Sequence, residues 1–74
     1  MEVTVSRKGR LAERGTGLAE LLSLVDGAVT TDLLAACDVD PRECVVVVNG
    51  AAVPHGSALS DGDRVQLYPA QAGG

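Results

Sequence analysis

The amino-acid sequence predicts an α+β fold of two layers, with one main helix packed on one face of a mixed sheet of four to five strands. Three observations support this prediction. The chain has 74 residues and is 46% hydrophobic, which suits one small folded domain. Strand-like runs near both ends flank a segment with helical spacing. The strongest hairpin signal, Asn49-Gly50, lies between two strand-like runs.

The first strand is expected over residues 2–6, where β-branched residues alternate with polar ones and Val3 and Val5 point inward. One helical turn stopped by Gly15 is expected next. Residues 18–25 fit two structures, because their leucines match both a helical face and a strand face. Local propensity favours a helix slightly.

The main helix is expected after the turn at residues 26–27. Thr30 suits the N-cap position, and Asp32 lies in the first turn, where the helix dipole favours a carboxylate. The helix should end within residues 38–41. Its apolar face comprises Leu33, Leu34 and Cys37.

Residues 44–48 form the strongest strand of the chain, and residues 51–53 are expected to pair back with it. A tight turn at residues 61–63 leads into the last strand, which ends at residue 68. There Val65 and Leu67 point inward, and parallel pairing with the first strand completes the sheet. The outward side chains of this strand are Arg64, Gln66 and Tyr68.

The face of the sheet without a helix is predicted to carry an apolar patch. Four consecutive valines cannot all face the helix, so we assign Val46 and Val48 as the outward pair, near Tyr68. Such a patch is typical of a docking surface. The alternative is that edge residues or loops cover these valines.

Residues 1–68 are expected to form the domain, and residues 69–74 a flexible tail. The tail has no large apolar side chain, and Pro69 lacks the N–H needed to continue a sheet ladder. Six extended residues reach at most roughly 20 Å, enough to enter a partner's active site. The unhindered carboxyl group of Gly74 is the expected reactive group. The tail comprises Pro69, Ala70, Gln71, Ala72, Gly73 and Gly74.

Composition argues against several classes of function. The net charge is −4, so no nucleic-acid partner is expected. No run approaches the roughly 20 apolar residues that span a bilayer, so we expect a cytoplasmic protein without a membrane partner. Cys37 and Cys44 lack the spacing of a metal site and are expected to be buried thiols, with a disulfide between them as the alternative. No catalytic or metal site is predicted.

Several segments in order resemble one family. The most specific is the Leu-x-Asp-Gly-Asp-x-Val run at residues 59–65, followed by Gly73-Gly74. Residues 3–5, 26–29, 32–34, 46–50 and 68–74 match as well, so the resemblance covers nearly the whole chain. The chain thus resembles the ubiquitin-like β-grasp sulfur carriers of the MoaD/ThiS type. This resemblance implies a β-grasp fold and a strand for residues 18–24.

Within the family, the turn at residues 10–15 is similar to that of molybdopterin synthase small subunits. Those subunits commonly carry aromatic residues at the end of the first strand, where this chain has Ser6, Arg7 and Lys8. That departure leaves the identity of the partner open.

The resemblance also implies the chemistry. A ubiquitin-activating-like enzyme would use ATP to adenylate Gly74, and sulfide or a persulfide would convert the acyl-adenylate to a thiocarboxylate, a 1-thioglycine. The chain would bind no cofactor and would act as a carrier, not an enzyme. It would donate sulfur in cofactor biosynthesis, first molybdopterin and next thiamine.

The implied partners are the adenylating enzyme, a sulfur-accepting synthase subunit, and a sulfurtransferase or persulfide donor. Leu59 and Tyr68 match family positions at the partner contact. Two alternatives are a ubiquitin-like modifier conjugated through Gly74 to lysines of target proteins, and a β-grasp interaction domain in which Gly73-Gly74 is incidental.

Overall fold

The computed structural model describes residues 1–14 and 19–70, without the side chains of residues 13 and 14. Within them, five strands form one mixed sheet in the order β2-β1-β5-β3-β4. The strands are β1 (Glu2–Arg7), β2 (Glu20–Ser23), β3 (Cys44–Val48), β4 (Ala51–Val53) and β5 (Arg64–Pro69). One helix, α1 (Thr30–Ala36), and two 3-10 turns (Gly9–Arg14 and Pro41–Glu43) complete the described elements.

The centre of the sheet is the parallel pair of β1 and β5. Val5 lies beside Val65 in the register, and Arg7 lies beside Leu67. The inward residues of both strands are buried, as their alternation predicts: Val3, Val5, Val65 and Leu67 are each at most 4% exposed. The predicted α+β fold, with one helix on one face of a mixed sheet, is confirmed.

β2 is a strand and not the helix that local propensity favours. It pairs antiparallel with β1, with Leu22 opposite Val3 and Leu21 opposite Thr4. Packing makes this segment a strand: Leu22 contacts the core, whereas its neighbour Leu21 is 65% exposed. The predictions for Gly15 and Leu18 lie outside the described residues.

The hairpin of β3 and β4 has the predicted two-residue turn. Asn49 and Gly50 both have positive φ, at 51° and 87°, as a type I′ turn requires. This turn also meets the start of β5. Asn49 Nδ2 donates to Asp63 Oδ1 over 2.9 Å, and the Arg64 N–H donates to Asn49 Oδ1 over 2.9 Å.

The prediction that Thr30 caps α1 is wrong by one residue, because Val29 occupies the N-cap position. Thr30 is fully buried, and its hydroxyl oxygen accepts a hydrogen bond from the Gly56 N–H over 2.8 Å. The Thr30 hydroxyl therefore links α1 to the loop that contains Gly56. Asp32 accepts the Val29 N–H over 2.9 Å, in line with its predicted place in the first turn.

The core lies between α1 and the sheet. Leu33 and Leu34 of the helix are 0% exposed and contribute to one buried cluster with the inward residues of β1, β3 and β5. Leu11 of the first 3-10 turn is buried in the same cluster. Among residues 1–14 and 19–70, no helix is both long and apolar enough to cross a membrane.

Candidate functional site

The last strand extends one residue further than predicted, to Pro69. Pro69 belongs to β5 and lies opposite Cys44. The next residue, Ala70, donates its N–H to the Glu43 carbonyl oxygen over 2.9 Å. Pro69 and Ala70, two residues assigned to the tail, are therefore held by the sheet.

The alternation of an antiparallel ladder explains why a proline is tolerated here. Because Ala70 bonds to Glu43, the neighbouring pair of Pro69 and Cys44 makes no hydrogen bond across the β3 side. The nitrogen of Pro69 faces the β1 side, where the pairing has already ended at Arg7. The missing N–H of the proline therefore leaves no ladder bond unmade.

Gly9, in the first 3-10 turn, lies close to Pro69 at the end of β5. Gly9 has a φ of +55°, and a β-carbon added there would lie 3.0 Å from Cγ and 3.3 Å from Cδ of Pro69. Such a distance is shorter than normal van der Waals contact. The close approach of the first 3-10 turn to Pro69 therefore depends on glycine at position 9.

The face of the sheet opposite α1 carries an apolar patch beside Ala70. Val45 and Tyr68 lie opposite each other and are 43% and 40% exposed. Val47 is half-buried and lies between Gln66 of β5 and Ala52 of β4. We call these four residues, Val45, Val47, Ala52 and Tyr68, the open-face patch. It borders Ala70, the last residue that the structure describes.

The predicted phase of the four valines is wrong. Val46 is 0% exposed and lies opposite the buried Leu67, so it faces α1. Val48 shares its face and packs against the core. The outward pair is Val45 and Val47, because alternate residues of a strand point to opposite faces.

Leu59 is also misassigned as a partner contact. It is 6% exposed and belongs to the core cluster. Its N–H donates to the Ala28 carbonyl oxygen over 3.1 Å, and the adjacent Ala58 forms a bridge with Val29. These contacts hold Leu59 against the start of α1. Of the assigned contact residues, Tyr68 is exposed and Pro69 and Ala70 are half-buried, whereas Gln71, Ala72, Gly73 and Gly74 lie outside the described residues.

The two cysteines are free thiols, as the preferred interpretation expected. Cys44 is buried and Cys37 is half-buried. Burial raises the pKa of both thiols above the usual value, so they are protonated at neutral pH. Over the described part of the chain, no three His, Cys, Asp or Glu residues lie close enough together to hold a metal ion.

A family model identifies the chain. The model of the ThiS family matches residues 4–74, nearly the whole sequence. The chain belongs to the ThiS family. The predicted relationship to MoaD/ThiS-type proteins is thereby confirmed.

Solved structures support the fold of this ThiS family member. The small archaeal modifier protein 1 of Haloferax volcanii is 21% identical, with a TM-score of 0.79 over 95% of this chain and 98% of that one. The HVO 2177 protein of the same organism is 26% identical, with a TM-score of 0.83 over 100% of this chain and 87% of that one.

A third structure belongs to a complex. A chain from the complex of subunits 1 and 2 of the molybdopterin-converting factor of Helicobacter pylori is 22% identical, with a TM-score of 0.68 over the full length of both chains. No curated protein sequence matches the chain. These similarities establish the ubiquitin-like β-grasp fold.

Sequence reasoning missed Gly9 and the outward valines Val45 and Val47. Four identical valines give no phase in the sequence, and only the pairing of β3 with β5 fixes which pair points outward. No sequence signal identified Gly9, because its role depends on contact with Pro69, which is remote in the chain.

Proposed function

We propose that this ThiS family member is a sulfur carrier that transports sulfur as a thiocarboxylate on Gly74. The observation that carries the proposal is the family match, which runs through the Gly73-Gly74 terminus. The family consists of small carrier proteins, so the chain acts as a co-substrate and supplies no catalytic group.

The geometry of the described residues supports this role. The last described backbone hydrogen bond of the sheet is made by Ala70, so residues 71–74 follow the anchored end of β5. Four extended residues reach at most roughly 14 Å, which is enough to carry the terminal carboxyl group into a neighbouring protein's active site. The open-face patch beside Ala70 provides the apolar surface on which that protein docks.

The chemistry begins with activation, because a carboxylate is a poor electrophile. A carboxylate oxygen of Gly74 attacks the α-phosphorus of ATP in the active site of a ubiquitin-activating-like enzyme, and pyrophosphate leaves. Sulfide then attacks the carbonyl carbon, and AMP leaves with the original carboxylate oxygen. With a persulfide as donor, an acyl disulfide forms, and a second thiol cleaves it to release the thiocarboxylate. The product is 1-thioglycine at position 74.

Glycine suits both steps. A β-carbon at residue 73 or 74 would narrow the approach of the nucleophile to the carbonyl and would widen the segment that has to enter the enzyme. We propose molybdopterin synthesis as the first candidate for the sulfur-accepting pathway. The solved complex of molybdopterin-converting factor subunits supports a synthase subunit as the acceptor. Thiamine synthesis is the next candidate.

The test is adenylation of a chain that lacks Gly74. Incubated with ATP, sulfide and the adenylating enzyme of its own cells, the wild-type chain should release AMP and form the thiocarboxylate, whereas the truncated chain should do neither. Both chains should show the same unfolding midpoint. The variant Gly73→Ala keeps the terminus and should react more slowly. Equal AMP release by wild-type and truncated chains would contradict the proposal.

A second function is conjugation of Gly74 to lysines of target proteins. The similarity of the fold to small archaeal modifier protein 1 favours this candidate. The chain has one lysine, Lys8, which leaves little scope for chains of the modifier. A blot of the lysate of its own cells for adducts of higher mass distinguishes conjugation from sulfur transfer.

A further inference from the structure

A groove with both polar and apolar lining adjoins the open-face patch on the same side of the sheet. It has a volume of about 340 Å³ and lies where β1, β5 and the β3–β4 turn meet. Thr4 and Ser6 line one wall and lie beside Arg64 and Gln66 in the parallel register. Asn49 of the hairpin turn closes one end of the groove.

The groove is rich in hydrogen-bond donors and poor in carboxylates. Arg64 is its one charged lining residue among those described, and the hydroxyl groups and the Gln66 amide add further donors. The neighbouring carboxylate of Asp63 accepts from Asn49 Nδ2 and from the Ser60 N–H, so both its oxygens are used within the turn. The described lining residues of the groove thus carry one positive charge and no negative charge, in a chain with a net charge of −4.

The groove and the open-face patch form one continuous surface. Gln66 lines the groove and lies opposite Val47 of the patch. Arg64 and Tyr68 are four positions apart on one face of β5, about 13 Å at the usual rise of a strand. A protein that covers both the patch and the groove would remove water from Arg64.

We propose that this groove receives an Asp or Glu side chain of the adenylating enzyme and so selects that partner. The proposal depends on the proposed function. The Arg64 guanidinium matches a carboxylate with two parallel hydrogen bonds, and the hydroxyl groups of Thr4 and Ser6 bind the remaining lone pairs. The open-face patch supplies apolar contact, and the charge of Arg64 in the groove selects a partner with a carboxylate at that position.

The experiment measures AMP release, with ATP and sulfide in excess, by the adenylating enzyme of the same cells as a function of carrier concentration. Arg64→Gln should raise the KM for the carrier about tenfold and Arg64→Glu about a hundredfold, with kcat nearly unchanged, because the groove binds and does not react. The KM of the wild-type chain should also rise with salt more steeply than that of Arg64→Gln. The salt response distinguishes a charge contact from a change in shape.

The matched control is Arg42→Glu, which changes the net charge by the same amount at the opposite end of β3. Arg42 is exposed and paired with Asp40, so its replacement should leave the KM within about twofold. Equal losses in Arg42→Glu and Arg64→Glu would show an effect of bulk charge and would overturn the inference. If circular dichroism shows that Arg64→Glu does not fold, the KM of the uncharged variant Arg64→Gln tests the proposal.

Failure of the two proposals can be distinguished. A wild-type chain that never supports AMP release contradicts the proposed function itself. If the wild-type chain is adenylated but the Arg64 variants have an unchanged KM, only the proposal for the groove is overturned.

Discussion

Replacement of Gly9 by alanine tests how the end of β5 is held. The backbone at Gly9 has a φ of +55°, where an L-residue costs about 1–2 kcal/mol. The new β-carbon would also lie 3.0 Å from Cγ of Pro69, and such overpacking costs about 1–3 kcal/mol. We therefore expect a loss of about 2–5 kcal/mol in the free energy of unfolding. For a domain of this size, the midpoint of thermal unfolding should fall by about 8–40 °C.

The assay is thermal unfolding followed by circular dichroism, with Gly62→Ala as the matched control. Gly62 also has a positive φ, at 87°, but nothing lies within 4 Å of a β-carbon there. Its replacement therefore reports backbone strain without the contact.

The double variant Gly9→Ala with Pro69→Ala isolates the contact. If the ring of Pro69 is the obstacle, removing it should recover about 1 kcal/mol of the loss at Gly9. A Gly9→Ala chain that melts within a few degrees of the wild type would refute the reasoning. Strictly additive effects of the two substitutions would refute it as well.

Two further predictions concern the loop before residue 58 and the second 3-10 turn. Thr30→Val keeps the shape of the side chain but leaves the Gly56 N–H without its acceptor, so chemical denaturation should show a loss of about 1–3 kcal/mol; an unchanged midpoint would contradict this. Hydrogen bonds from Arg42 lower the pKa of Asp40 from 3.8 to about 2. Because the folded-state pKa is lowered, the stabilisation is present above about pH 4 and is lost as the pH falls through about 2. Carboxyl NMR should show this midpoint in the wild type and a higher one in Arg42→Gln, and a wild-type midpoint near 3.8 would count against the pairing.

Much of the fold could be predicted because local signals and tertiary structure agree. In β5 the alternation of Val65 and Leu67 with polar neighbours fixes which face is buried, and both residues are at most 1% exposed. Asn49-Gly50 predicts the hairpin because both residues tolerate positive φ. These signals depend on neighbouring residues alone, so they can be interpreted before the structure is known.

The errors occur where the sequence has no period or where distant contacts decide. Four identical valines give no phase, so the burial of Val46 depends on its register with Leu67. Residues 20–23 are a strand because β1 pairs with them, and local propensity does not report that pairing. The burial of Leu59 likewise depends on its hydrogen bond to Ala28, which is far away in the sequence.

The candidate site was only partly predictable for the same reason. Tyr68 lies on the open face as its strand position predicts, because the alternation of β5 is local. The groove at Arg64 depends on the parallel register of β1 and β5 and on the position of the hairpin turn. No single segment of the sequence carries that information.

The most direct test of the central claim is the intact mass of the chain purified from its own cells together with its adenylating enzyme. The account predicts a fraction whose mass has increased by the exchange of one oxygen for one sulfur, located by fragmentation at Gly74. If that exchange never occurs while the enzyme is active and ATP is present, the chain is not a sulfur carrier.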